Sequence, residues 1–383
     1  MQSFRLPPNE LPAEAEALRQ EVRDFLTREL ADHPPVMRAR SWAGFDPDFS
    51  KKLARQGWIG MTWPKQYGGG ERSYLERYVL LEELLTAGAP VSAHWTADRQ
   101  SGPLLLRYGT QAQRDKYLPE ITRGDALFCI GMSEPDSGSD LASVRTKAIR
   151  TDGGYIVNGT KVWTSGAHRC DYMIALLRTD PEAERKHDGL SQFIVHLKET
   201  DGITIRPIMN LIGEHHFNEV VFEDAFVPEE CLVGAEGDGW KQVTSELGFE
   251  RSGPERYLSS YILIQQLIDE IGRDPEPGAA AAVGRVVAQL ATLRQMSISV
   301  ASQLDSAHDT GLAASVVKDL GTTFEQSVPD VAQAICNAEP TLAGGSDFQQ
   351  VLAYTTMAAP SFSLRGGARE ILRGIIARGL GLR

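Results

Sequence analysis

Cysteine is scarce in this chain, and what there is does not cluster. Cys129, Cys170, Cys231 and Cys336 are spread through 383 residues with no pair at metal-ligand spacing. That pattern excludes a zinc site and a dense disulfide framework, and it fits a reducing compartment. Positive charge is also in deficit: 39 Lys and Arg stand against 51 Asp and Glu, for a net charge of -12. Contact with a nucleic-acid backbone or an anionic membrane surface needs concentrated cations, so both partners are excluded on charge and the acidity is read as serving solubility. No apolar run approaches the roughly 18 residues of a membrane-spanning helix. The start, Met1 to Glu10, carries neither a basic-plus-apolar signal nor an Arg-rich presequence, so a soluble, cytoplasmic protein is expected.

What remains is ordinary globular composition, 42% hydrophobic and 23% charged. The length exceeds what one hydrophobic core usually supports, so two or three domains are expected. From Ala13 to Leu30 the apolar positions Leu18, Val22, Phe25, Leu26 and Leu30 recur every three or four residues, the mark of an amphipathic helix. Asp48 to Gln56, Leu75 to Thr86 and Gln111 to Gly124 read the same way. Between Leu127 and Val233 the pattern changes to short β-branched and aromatic runs: Val144 to Arg150, Tyr155 to Trp163, Tyr172 to Arg178, Gln192 to Leu197 and Glu219 to Phe222. The charged stretch Pro181 to Gly189 reads as an exposed loop. After Gly239 helical stripes return, one through Val283, Val287, Leu290 and Leu293 and another through Ala313, Val316, Val317, Leu320, Phe324 and Val328. The expected architecture is an α+β multidomain chain: an N-terminal helical domain over residues 1–126, a middle β-barrel or sandwich over 127–235 and a C-terminal helical bundle over 236–383.

Two segments carry the chemistry. Gly131-Met132-Ser133-Glu134-Pro135-Asp136-Ser137-Gly138-Ser139-Asp140 is an irregular loop of small residues, open to close approach by a planar ligand and supplied with hydroxyls at Ser133 and Ser139. Tyr155 to Gly166 follows, and within it Asn158-Gly159 is a two-residue turn signal predicting a hairpin whose returning strand runs from Lys161 to Ser165 past Trp163.

Together these segments resemble the middle-domain signature of the acyl-CoA dehydrogenase family. The resemblance extends over nearly the whole chain, through Trp63-Pro64-Lys65-Gln66-Tyr67-Gly68-Gly69, Tyr108-Gly109-Thr110, Tyr117-Leu118-Pro119, Val227-Pro228 and Gly366-Gly367-Ala368-Arg369-Glu370-Ile371, in matching order and spacing. It implies a C-terminal four-helix bundle, bound FAD, an acyl-CoA substrate, electron delivery to an electron-transfer flavoprotein, and a homotetramer or a heterotetramer with a homologous chain. Its flavin contacts fall on Ile130, Met132, Ser133, Gly138, Ser139, Trp163 and Ser165. Ser133 and Ser165 stand where threonine is frequent and keep the hydroxyl. Glu370 matches a polar position that meets the flavin's ribose or diphosphate, and Ser139 and Arg251 line the acyl-CoA side. The bland alternatives are a core aromatic for Trp163, loop capping for Ser139 and a surface charge for Glu370.

Forming a trans-2-enoyl thioester removes an α-proton and a β-hydride. A flavin takes the hydride, and a carboxylate with its pKa raised by an apolar pocket suits the proton. Many family members carry that glutamate at the position matching Gly366, where glycine has no side chain to use. Members similar to isovaleryl-CoA and long-chain dehydrogenases place it in an earlier helix before an arginine, and Glu250-Arg251 reproduces that pair, so Glu250 is the expected base. Its alternative is a solvated helix carboxylate. The family's Arg-x-x-Phe-Gly segment, which reaches a neighbouring subunit's flavin, is missing from Asp269 to Gln289, and Thr341 to Asp347 is an imperfect version of its glycine-pair turn. Other classes to be separated are a partner subunit without turnover and a family-like flavin oxidase or lyase. Loss of both base positions marks the first, and oxygen consumption without an acceptor marks the oxidase.

Overall fold

The computed structural model describes residues 5–304 and 310–382, with the side chains of 246–250 outside the description. Seven helices come first: α1 (Ala13–Glu29), α2 (Pro35–Arg38), α3 (Pro47–Arg55), α4 (Tyr74–Thr86), α5 (Ser92–Thr96), α6 (Gly102–Tyr108) and α7 (Gln111–Thr122). Starts are set locally. Ser73 accepts from the Glu76 backbone N–H while Glu76 reaches back to Ser73, and Thr110 and Gln113 repeat this reciprocal cap at α7, satisfying N–H groups that the first helical turn leaves free. The α1 stripe is as expected, burying Leu18, Val22, Phe25 and Leu26.

Eight strands follow: β1 (Phe128–Gly131), β2 (Lys147–Thr151), β3 (Gly154–Lys161), β4 (Tyr172–Arg178), β5 (Leu190–His196), β6 (Ile203–Met209), β7 (His215–Pro228) and β8 (Leu232–Val233). They form one sheet in the order β6-β7-β3-β2-β4-β5-β8, with β1 beside β4. Tyr155, Val157, Ala175, Leu177, Phe193, Val195, Val220 and Phe222 pack into a continuous core on one face. Residues 181–189 form no strand or helix, as expected of a charged segment.

One expectation fails here. Asn158-Gly159 is not the hairpin turn, because β3 runs straight through it. The β2–β3 turn is Asp152-Gly153, between paired Thr151 and Gly154, with Gly153 at φ 74°. Asn158-Gly159 is instead a bulge where the register of β3 against β7 shifts. Asn158 exchanges hydrogen bonds with Asp224 (Nδ2 to Oδ1 2.9 Å; Asp224 N–H to Oδ1 2.9 Å), and a Cβ on Gly159 would lie 2.7 Å from Thr146 Cα. A glycine that lets another backbone come close reads in sequence like a turn glycine.

The chain closes with α8 (Gly239–Glu250), α9 (Tyr261–Ile271), α10 (Pro277–Leu304), α11 (Gly311–Cys336), α12 (Asp347–Ala358) and α13 (Arg369–Gly379). The α10 stripe is corrected: Val286 and Leu293 are buried, whereas Val287 is 47% exposed. In α11, Ala313, Val317, Phe324 and Val328 are buried while Leu320 is exposed.

Two compact units emerge, one of residues 1–49, 72–92 and 247–383, the other of 50–71 and 93–246. In the first, Glu82 and Glu83 of α4 are buried and are held by Arg19 (2.9 Å to Glu82) and Arg23 (2.7 Å to Glu83) of α1 and by Arg294 of α10 (2.6 Å to Glu82). Buried carboxylates need such partners, and these tie the N-terminal helix to the C-terminal helices. No helix among the described residues is long and apolar enough to cross a membrane.

Candidate functional site

In the second unit the loop after β1 is shaped by a tight turn. Glu134 and Ser137 exchange backbone hydrogen bonds of 2.8 and 3.1 Å, turning the chain through Pro135-Asp136, and Ser137 Oγ donates to the Asp140 carbonyl at 2.6 Å. This leaves Gly138 and Ser139 exposed, Ser133 half-buried, and nothing within 4 Å of a Cβ placed on Gly138. Met132 packs against the Val144, Leu176, Leu190 and Val243 cluster.

Beneath the loop lies an ion pair that sequence reading missed. Lys161 Nζ, fully buried, donates to Glu134 Oε1 at 2.8 Å and to the Met132 carbonyl at 3.1 Å. Glu134 also accepts from the backbone N–H groups of Arg145 (2.6 Å) and Thr146 (2.9 Å). Burial pushes the Glu134 carboxyl up, but the ammonium and these donors outweigh it and hold it below the usual range. Burial dominates at Lys161 and lowers it to about 8, against the pull of Glu134. The pair binds the loop to the end of β3.

Beyond Lys161, the Val162 N–H donates to the Ser133 carbonyl at 2.9 Å, setting the two expected segments side by side. Trp163 then takes a left-handed conformation, φ 59°, rare for a bulky residue. It is 59% exposed with its ring edge-on to Phe217, centroids 5.9 Å apart, so it is not a core aromatic. Thr164 is fully buried, whereas Ser165 is exposed and Gly166 is left-handed. Ile130 is half-buried at the end of β1. The structure thus gathers Ile130, Met132, Ser133, Trp163 and Ser165 around one strand end, with Gly138 and Ser139 on the adjoining turn.

In the first unit, Arg251 and the Gly366-Gly367 turn meet. Arg251 Nε donates to the Gly366 carbonyl at 3.3 Å, Lys318 Nζ donates to the Gly367 carbonyl, and both glycines have positive φ, 64° and 98°. A Cβ on Gly366 would lie 2.9 Å from Arg256 Nη2, so this arginine occupies the space a side chain there would enter. Arg256 pairs with buried Glu255 at 3.7 Å. Sequence reading passed over this second Glu-Arg pair. Glu250 ends α8, and its side chain lies outside the described residues. Glu370 is exposed in the first turn of α13, where the helix dipole favours a carboxylate. The Asp269 to Gln289 segment covers the end of α9, the α9–α10 connection and the first part of α10. Gly344 and Gly345 do form a left-handed pair, φ 77° and 74°, ahead of the Ser346 cap of α12. The cysteines are all free thiols, and no metal-binding cluster occurs among the described residues.

Comparison with known proteins bears on both units. The family descriptions "Acyl-CoA dehydrogenase, N-terminal domain" and "Acyl-CoA dehydrogenase, middle domain" match residues 12–125 and 129–225. The acyl-CoA dehydrogenase FadE29 of Mycobacterium tuberculosis is 32% identical over 389 residues, covering 96% of each chain. FadE34 of the same organism is 34% identical over 334 residues, but this chain spans only 45% of its length. Among solved structures, a Tcur3481-Tcur3483 steroid ACAD superposes with a TM-score of 0.87 at 30% identity, covering 99% of this chain and 100% of that one. The ChsE4-ChsE5 complex from Mycobacterium tuberculosis does so at 0.85 and 28%, covering 98% and 99%.

Proposed function

Because the chain belongs to the acyl-CoA dehydrogenase family of flavoprotein oxidoreductases, whose members generally bind FAD, we propose that it oxidises an acyl-CoA thioester to the trans-2-enoyl-CoA with FAD as its cofactor. The observation that carries the reading is Trp163, an exposed ring in a left-handed conformation beside the Ser133 loop. Exposing so large an aromatic on a strained backbone brings little internal packing beyond its edge contact with Phe217, and a planar ligand would use the open face. The residues present fit a flavin: Ser133, Ser139 and Ser165 offer hydroxyls, Gly138 leaves open space, and Ile130, Met132 and Trp163 offer apolar contact. Glu370, at a helix start, would lie toward the ribose or diphosphate.

When bound, FAD supplies the hydride acceptor that no amino-acid side chain provides. The chain supplies the rest. The Glu250 carboxylate takes the α-proton, and the electrons of that C–H bond become the new C=C bond as the β-hydride departs. Arg251 and Ser139 would face the thioester. Gly366 offers no base, and Arg256 beside it would hold a carboxylate introduced there at low basicity, whereas Glu250-Arg251 matches the earlier-helix placement that the family resemblance implies. Electrons would pass to an electron-transfer flavoprotein. Similarity to structures named for two different chains supports assembly with a second, homologous chain, with assembly of identical copies as the alternative.

The test is anaerobic titration of the FAD-loaded protein with a panel of acyl-CoA thioesters, a steroid-bearing one included. The expected result is bleaching of the flavin band by at least one thioester, and a rate roughly 100- to 10,000-fold lower in Glu250→Gln with flavin retained. Protein that stays colourless after incubation with FAD would overturn the cofactor. A Glu250→Gln variant as fast as wild type would overturn the base.

A further inference from the structure

Asn218 of β7 is fully buried, and four hydrogen bonds join it to Thr164 and to two histidine rings. Its carbonyl accepts from the Thr164 N–H at 3.0 Å, and its Nδ2 donates to the Thr164 carbonyl at 2.9 Å. Because Nδ2 is the donor, Oδ1 is the acceptor, and two histidine rings converge on it: His168 through Nδ1 at 3.1 Å and His215 through Nε2 at 2.7 Å. Those rings stack, with centroids 3.7 Å apart and planes 16° from parallel. Two residues on, the Gly166 N–H donates to the His216 carbonyl at 2.9 Å. Residues 164 and 166 are therefore clamped to β7, and exposed Trp163 and Ser165 flank the clamped Thr164.

We infer that Asn218 is a positioning residue that sets the geometry of the Trp163–Ser165 face. A left-handed tryptophan costs free energy and persists only where its surroundings over-determine it. Asn218 does this in a way no substitute matches. Aspartate would accept from both rings but not donate to Thr164. Leucine would do neither, and glutamine is a methylene too long for a buried slot. That the face receives a flavin rests on the proposed function; that Asn218 holds it does not.

The experiment compares Asn218→Asp with wild type, with Trp163→Phe versions of both to isolate the Trp163 emission by difference. In the FAD-free protein the expected result is a red-shifted, more readily acrylamide-quenched Trp163 signal in Asn218→Asp, with far-UV circular dichroism unchanged. With FAD, the expected result is an affinity lower by roughly tenfold, the loss of a buried hydrogen bond and its partner. Should Asn218→Asp fail to fold, His168→Asn removes one ring from Oδ1, leaves both Thr164 bonds in place and is expected to shift both signals less, in the same direction. An unchanged Trp163 signal together with FAD affinity within twofold of wild type would overturn the inference. If wild type binds no FAD, the proposed function fails, and the Trp163 signal alone decides the role of Asn218.

Discussion

Lys161 shows how a single side chain can hold two segments. It is fully buried, and its ammonium spans from the Met132 carbonyl to the Glu134 carboxylate, so the loop cannot leave the strand without stranding both charges. Substituting Lys161→Met keeps the stem's volume and leaves Glu134 charged, buried and without its cation. The expected cost is roughly 3–5 kcal/mol of stability, because breaking a buried pair from one side leaves the other charge uncompensated. Pairing the change with Glu134→Gln should recover much of that loss, as the carboxylate is then gone as well. Urea midpoints of the two single variants and the double variant check this, and equal losses that simply add would show that the pair is not coupled. The sequence could not announce the pair: its members lie 27 positions apart, and a lysine in a strand ordinarily reads as a solvent-facing residue.

At the scale of elements, sequence reading succeeded wherever periodicity was strong and failed wherever an irregularity did the shaping. The α1 stripe, the α7 span and β4 follow their patterns closely, because burial on one face imposes a period. The Ser133 loop and Trp163 were also legible, as small residues and an aromatic at particular spacings. The path between them was not. Asn158-Gly159 carries the strongest hairpin signal of the region yet sits in mid-strand, since its meaning is set by Asp224 and Thr146, distant in sequence. The Thr164–Asn218 tether joins residues 54 apart. The bulge makes its own prediction. Gly159 has φ 143°, where L side chains are strained, and a Cβ would be 2.7 Å from the Thr146 backbone. Gly159→Ala is expected to cost roughly 1–3 kcal/mol. Were Asn158-Gly159 the exposed tip of a hairpin, the same change would meet positive-φ strain of about 1 kcal/mol but no neighbouring backbone, so a loss well above that by urea midpoint marks the mid-strand geometry.

At the scale of the whole molecule, two buried groups, one in each unit, respond to acid with opposite signs. His94, buried in the unit of residues 50–71 and 93–246, hydrogen-bonds Ser50 through Nδ1 at 2.8 Å, and burial lowers it to about 4 despite the attraction of Asp98. In the unfolded chain it titrates at its ordinary value of 6.5. A lowered folded value means the unfolded state binds more protons through the window between them. Stability is then complete above pH 6.5 and falls as pH drops toward 4, by roughly 3 kcal/mol for this group. Glu325, buried in the other unit, is held above the usual carboxylate range by burial and contributes with the opposite sign. The units can be read apart because five of the six tryptophans, Trp58, Trp63, Trp95, Trp163 and Trp240, lie in the unit that holds His94. Tryptophan-detected urea unfolding should therefore show a midpoint that declines between pH 6.5 and 4. In His94→Asn, whose amide can still bond Ser50 but takes no proton, the decline should flatten, with His168, also lowered by burial, supplying a smaller remainder of the same sign. Equal slopes in wild type and His94→Asn would place the acid lability elsewhere and remove His94 from the account.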